Sequence, residues 1–181
     1  MARYLCAVLE GDARYEGFDT SEPLVQWCQA NITPLFPNFH FTYSPLSDPI
    51  YNPDPTLLSA VEFEFPYAEE SFDFVFAHSV FTHLFPDVAT HYLREIGRVL
   101  RPQGISYTTW VLFDDDPSGY SNPRSKNMDR DPAGTFAVRP PGNIGYHQEY
   151  VRDAHRSSGL DILEPVHFGF RYFQDAVVAV K

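Results

Sequence analysis

Basic residues are scarce in this chain. Thirteen Lys and Arg stand against 24 Asp and Glu, for a formal charge of −11 over 181 residues. No basic patch of any length occurs, which argues against nucleic acid, whose phosphates demand clustered Lys and Arg. No run of 18 or more apolar residues exists, so no membrane span is expected. No charged-then-apolar signal opens the chain. Cysteine is nearly absent: Cys6 and Cys28 make no disulfide framework. Both lie on apolar helical faces and read as buried, inert thiols, so a reducing cytoplasm is the default compartment. Neither HExxH nor CxxC occurs. His78 and His83 are five apart, which on a helix would separate them by roughly 140°. A shared metal is therefore not expected. Glycine is missing where a nucleotide-binding fold would want it. Gly11 and Gly17 are the only glycines before Asp19, and neither follows a strand.

What is present is aromatic and periodic. Phe, Tyr and Trp make up 16% of the chain. The segment 71–113 carries the clearest pattern. Phe72, Phe74, Val75, Phe76 and Ala77 form a run interrupted only by Asp73, as in a parallel strand covered on both faces. Pro86 suits a first helical turn. Val88, Tyr92, Leu93, Ile96, Val99 and Leu100 then recur at helical spacing, with Arg94, Glu95 and Arg98 assigned to the solvent side. Pro102 and Gly104 stop that helix, and Ile105 to Phe113 reads as the next strand.

The flanks extend the alternation. Residues 2–9 read as the end of a helix closed by Gly11. Arg14 to Phe18 is a short strand ending at Asp19. Ser21 is placed to cap a helix from about Pro23 to Ile32, and Phe39 to Tyr43 is a third strand. Residues 44–56 are loop. Residues 114–145 have many turn residues and little periodicity, and read as one long loop that could act as a substrate lid. Gln148 to Arg156 is a helix capped by Gly159. Leu163 to Phe168 and Phe173 to Val180 form a hairpin across Gly169. The whole reads as a single α/β domain with a mostly parallel sheet.

Candidate site residues follow from strand ends, where ligands of doubly wound sheets bind. Asp19 ends one strand and precedes a helix, the position of an acid that takes two ribose hydroxyls; the bland reading is a helix-capping Asp. His78, at the end of the strand 71–77, is placed to touch a ligand. His83 reads as a packed, hydrogen-bonded histidine. Asp114, Asp115 and Asp116 read as a solvated turn rather than a cation loop. Tyr120, Tyr146 and His147 could shape a substrate pocket.

Four segments carry a family resemblance: YEGFDTS at 15–21, FPYAEESFDFVFAHSVFTHL at 65–84, YLREIGRVLRPQG at 92–104 and FQDAVVAVK at 173–181. The chain resembles the class I S-adenosylmethionine-dependent methyltransferases of type 11/25. The resemblance implies a Rossmann-like sheet, mostly parallel with an antiparallel C-terminal hairpin strand. It also implies S-adenosyl-L-methionine as cofactor and a small-molecule acceptor. By position, Asp19 would bind the ribose, Thr20 and Ser44 would lie near the adenine, and Ala77, His78 and Ser79 would line the methionine end. No catalytic base is nominated.

Three departures from the family pattern stand out. The acid often found after the third strand is replaced by Tyr43-Ser44-Pro45. The usual Gly-Gly after the long helix is Gln103-Gly104. The glycine loop, which precedes the ribose acid by about 20 residues, finds no room ahead of Asp19. The expectation is a chain lacking the first strand and its loop. Four lost buried side chains would forfeit roughly 6–12 kcal/mol, and exposed central strands would invite a homo- or hetero-oligomer. Two other readings stay open: a non-catalytic interaction protein on the same fold, and a nicotinamide oxidoreductase.

Overall fold

The computed structural model describes residues 2–9, 11–47, 52–115, 121–140, 142–169 and 174–181. The chain divides into two compact units, Met1–Phe63 and Glu64–Lys181.

The first unit begins with a single helical turn, α1 (Ala2–Leu5), followed by Gly11 at φ 65°. The first strand in chain order is β1 (Tyr15–Asp19). Helix α2 (Glu22–Asn31) carries a proline in its first turn, where the missing N–H costs nothing. It packs on β1 and on β2 (Phe39–Tyr43), which runs parallel to β1 from Tyr15↔Phe39 to Asp19↔Tyr43. Tyr15 stacks on fully buried Phe39 at 5.1 Å, and Phe18 meets Phe63 edge-on at 5.3 Å. Within the expected loop 44–56, Leu46–Ser47 (β3) pairs in parallel with Leu58–Ser59 (β4). Cys6 and Cys28 are half-buried rather than buried.

The second unit starts with β5 (Phe72–Ala77). Helix α3 (Pro86–Val99) follows and buries Ala89, Tyr92, Leu93, Ile96 and Val99. Glu95 is buried as well, against the expectation of a solvent position. Its carboxylate accepts from Phe65 N–H at 2.7 Å and from Arg98 at 2.6 and 2.9 Å, while Arg98 also donates to the carbonyls of Phe65 and Tyr67. Burial raises the Glu95 pKa, but these hydrogen bonds and the Arg98 charge outweigh it and leave a net lowering. The pair thus pins the chain entering β5 onto α3.

Strand β6 (Leu100–Trp110) begins as α3 ends. It runs parallel to β5 with a register shift between Phe72 and Phe74, and Gln103 takes φ 68° in the bulge. The chain changes sheets at Val111. Leu112–Phe113 (β7) opens a second four-stranded sheet with Asp129–Arg130 (β8), Phe136–Arg139 (β9) and Asn143–His147 (β10), in the order β7-β10-β9-β8. The reading of 114–145 as one loop is thereby corrected. These strands, of two to five residues, are separated by Gly and Pro and are too short to display an alternation. Asp116 and Tyr120 lie outside the described residues.

Helix α4 (Gln148–Ser157) ends with Gly159 at φ 71°, as its cap requires. Asp161–Ile162 (β11) and Asp175–Val180 (β12) complete the first sheet in the order β11-β12-β6-β5, with β12 antiparallel to β6 and β11 antiparallel to β12. The expected strand 163–168 is reduced to a bridge between His167 and Ala176, because Pro165 interrupts it; Phe173 lies outside the described residues.

One expectation about burial fails. The 72–77 strand reads as covered on both faces, yet Phe74 is 52% exposed and Asp73 is exposed too. Among the described residues β5 has one neighbour, β6, and β1 has one neighbour, β2. Of the two, β5 is an edge strand with the near-continuous apolar composition of an interior one.

Candidate functional site

Each unit brings part of the expected site together at the carboxyl end of its parallel strands. In the first, Asp19 ends β1 with its side chain exposed. Its Oδ1 accepts from Ser21 N–H at 2.8 Å, and no other hydrogen-bond donor reaches the carboxylate among the described residues. The expected Ser21 side-chain cap is not formed; the Asp19 turn starts α2 instead. Thr20 is exposed beside it. Ser44 is buried, and its N–H donates to the Asp19 carbonyl at 3.0 Å, extending the β1–β2 ladder by one bond. Asp19, Thr20 and Ser44 therefore share one strand end. A carboxylate with one oxygen in a turn and the other open fits a diol.

In the second unit, Ala77 ends β5 opposite Thr108 of β6. His78 follows it, half-buried, and Ser79 turns the chain at φ 58°. A non-glycine residue in the left-handed region is strained and needs outside support. Ser79 N–H donates to Thr109 Oγ1 at 2.8 Å, and its hydroxyl exchanges hydrogen bonds with the Gln174 amide at 2.8 and 3.1 Å. Neither Thr109 nor Gln174 is evident in the sequence. The polar pair Gln174-Asp175 ahead of the apolar run 176–180 is the one signal that could have flagged Gln174.

Other candidates have structural work. His83 lies in a short 3-10 turn, with Nδ1 2.8 Å from the Gly142 carbonyl oxygen, as expected of a packed histidine. Tyr146 is fully buried, donates to the Leu84 carbonyl and stacks on Tyr150 at 5.3 Å, so it does not face a pocket. Burial drives its pKa well above the usual phenol value, with Tyr150 and Asp87 adding to the effect. His147 caps α4 by accepting from Glu149 N–H at 3.2 Å, and its Nε2 lies 3.6 Å from Asp115. Asp115 also pairs with Arg130, which sits over the Phe113 ring at 4.3 Å. Among the described residues no group of three or more His, Cys, Asp or Glu comes together as a metal site. No helix among them is long and apolar enough to cross a membrane.

Several solved structures share the fold. The Burkholderia thailandensis 1,6-didemethyltoxoflavin-N1-methyltransferase, with bound 1,6-didemethyltoxoflavin and S-adenosylhomocysteine, matches with a TM-score of 0.61 at 17% identity, covering 99% of this chain and 66% of that one. The methyltransferase partner of the Haloferax volcanii Trm112 activator matches at 0.60 and 17%, covering 99% and 76%. The cyclase SpnF matches at 0.56 and 20%, covering 89% of this chain and 48% of its own. The chain thus spans only about half to three quarters of these relatives. At such identities they establish the fold, a mixed α/β sheet of the class I methyltransferase type. A family profile described as "Methyltransferase domain" matches residues 1–108, more than half of the sequence. The chain belongs to the methyltransferase-domain family.

Proposed function

We propose that this chain carries the cofactor-facing strand ends of an S-adenosyl-L-methionine-dependent methyltransferase acting on a small molecule. The observation that carries this reading is Asp19: an exposed carboxylate at the carboxyl end of a parallel strand, with Oδ1 held by Ser21 and Oδ2 open. Asp19 accepts the ribose hydroxyls, while Thr20 and Ser44 flank the adenine. Ala77, His78 and Ser79 line the methionine end and the acceptor side. The cofactor supplies a methyl group on a sulfonium, which an acceptor nucleophile displaces in line. The chain's part is alignment and electrostatics, and no side chain is assigned as a base. The small-molecule acceptor is suggested by the Burkholderia relative.

A strand-end acid also suits a nicotinamide dinucleotide, and one experiment separates the two. S-adenosylhomocysteine at a hundred times its Kd should stabilise the fold by about 2.7 kcal/mol. That corresponds to roughly 5–10 °C in Tm at this size. A rise with NADH and none with S-adenosylhomocysteine would overturn the methyltransferase reading.

One observation favours a second reading, a non-catalytic interaction protein. Phe74 is 52% exposed on β5, whose far edge has no neighbour among the described residues. Such an edge is a template for pairing with another chain, and the Haloferax relative is itself found with a partner. A clean monomer by size-exclusion chromatography with light scattering would count against it.

A further inference from the structure

We infer that Gln174 and Thr109 are positioning residues, which lock the Ser79 turn into the shape that the methyl-donor site needs. The inference rests on the reading of the β5 end as a cofactor-binding edge.

Ser79 holds φ 58°, where an L side chain is strained. Ser79 caps no helix: the 3-10 turn Phe81–His83 is capped by Val80, and α3 begins only at Pro86. Its hydrogen bonds go instead to two distant strands. Thr109, 1% exposed on β6, accepts its N–H, and Gln174, 5% exposed at the start of β12, both donates to and accepts from its hydroxyl. Gln174 has a fixed base. The neighbouring Asp175 carboxylate is fully buried and accepts from Leu112 N–H, Gly169 N–H and Asn122 Nδ2 at 2.8–2.9 Å. Residues on β6 and at the start of β12, two neighbouring strands, therefore brace one strained residue just past the end of β5, at the end of the sheet where ligands of this architecture bind. The consequence is a backbone fixed before the ligand arrives, which lowers the ordering cost of binding.

A purely structural turn and a positioning turn differ in what Ser79→Gly does to binding. Glycine relieves the left-handed strain but removes the hydroxyl that pairs with the buried Gln174 amide, so under either role the variant stays folded with a level or modestly lower melting temperature. If the lock positions the site, S-adenosylhomocysteine affinity of the folded variant, measured by calorimetry, falls about tenfold; if the turn is only structural, affinity stays at the wild-type value. Gln174→Met, which keeps the length and removes the amide, should weaken binding by a similar factor. The double variant should be no weaker than the worse single one, because both act through the same contact. Wild-type affinity in Ser79→Gly or Gln174→Met would overturn the inference and leave the methyltransferase reading standing. A folded wild-type chain that binds no S-adenosylhomocysteine would overturn both.

Discussion

Gly97 lies on the buried face of α3, and a methyl group built on its Cα would sit 2.4 Å from the carbonyl oxygen of Ser158 and 4.0 Å from Leu160 Cγ. The first distance is far inside any carbon–oxygen contact, and the obstacle is backbone rather than a flexible side chain. That backbone is itself anchored. Ser158 N–H and Leu160 N–H both donate to the His155 carbonyl, and Leu160 is 1% exposed. In a free helix, Gly97→Ala would stabilise by about 1 kcal/mol. Overpacking a fixed contact costs about 1–3 kcal/mol, and a backbone obstacle belongs in the upper half of that range. The expected net change is a destabilisation of about 1–2 kcal/mol, or roughly 2–8 °C in Tm for a chain of this size. Thermal unfolding by circular dichroism reads it directly. A Gly97→Ala variant that melts above the wild type would refute the α3–α4 approach on which this reasoning depends.

Three further outcomes are expected. His155 is fully buried against Trp110 and donates Nδ1–H to the Val151 carbonyl; desolvation depresses its pKa from 6.5 to about 4. The unfolded chain therefore binds the extra proton first as pH falls, and stability should drop by about 3 kcal/mol between pH 6.5 and 4. His155→Phe should flatten that part of a denaturant-midpoint profile. Glu95, with its lowered pKa, contributes stability that is present above its ordinary value of 4.5 and lost as pH falls through the depressed one. Glu95→Gln should cost about 1–3 kcal/mol at pH 7 in urea unfolding and remove that acid limb. Gln103→Gly should raise stability by about 0.5–1 kcal/mol in the same assay, because position 103 sits at φ 68°.

The segment 71–113 was readable because its elements are long and strongly patterned: strand β5 and helix α3 fall close to where periodicity places them, whereas β6 begins at Leu100, before the expected Ile105, and carries Pro102 and Gly104 inside it. Helix α4 and its Gly159 cap were equally plain. The family pattern at 103–104 also gains a physical reason, since Gln103 occupies a left-handed position that glycine prefers. Other features were hidden for identifiable causes. The second sheet is built from strands too short to alternate. Glu95 looked solvent-facing because helical spacing cannot reveal that Phe65 N–H and Arg98 meet its carboxylate from within the unit. The exposure of Phe74 was invisible because an edge strand and a central one can share a composition. The position of Asp19 at a strand end was legible from the sequence, whereas Thr109 and Gln174 became visible only through the turn they hold.

The central claim is that Asp19 receives a ribose. Calorimetric titration of S-adenosylhomocysteine into the wild type and Asp19→Asn tests it most directly. Asparagine keeps the Oδ1 that accepts from Ser21 N–H, so folding is preserved while the charge is lost. Losing a charge-assisted hydrogen bond, worth about 1.5–3 kcal/mol, should raise the Kd roughly 10- to 100-fold with Tm unchanged. Equal affinity in the two proteins would contradict the claim and return Asp19 to the role of a turn residue that starts α2.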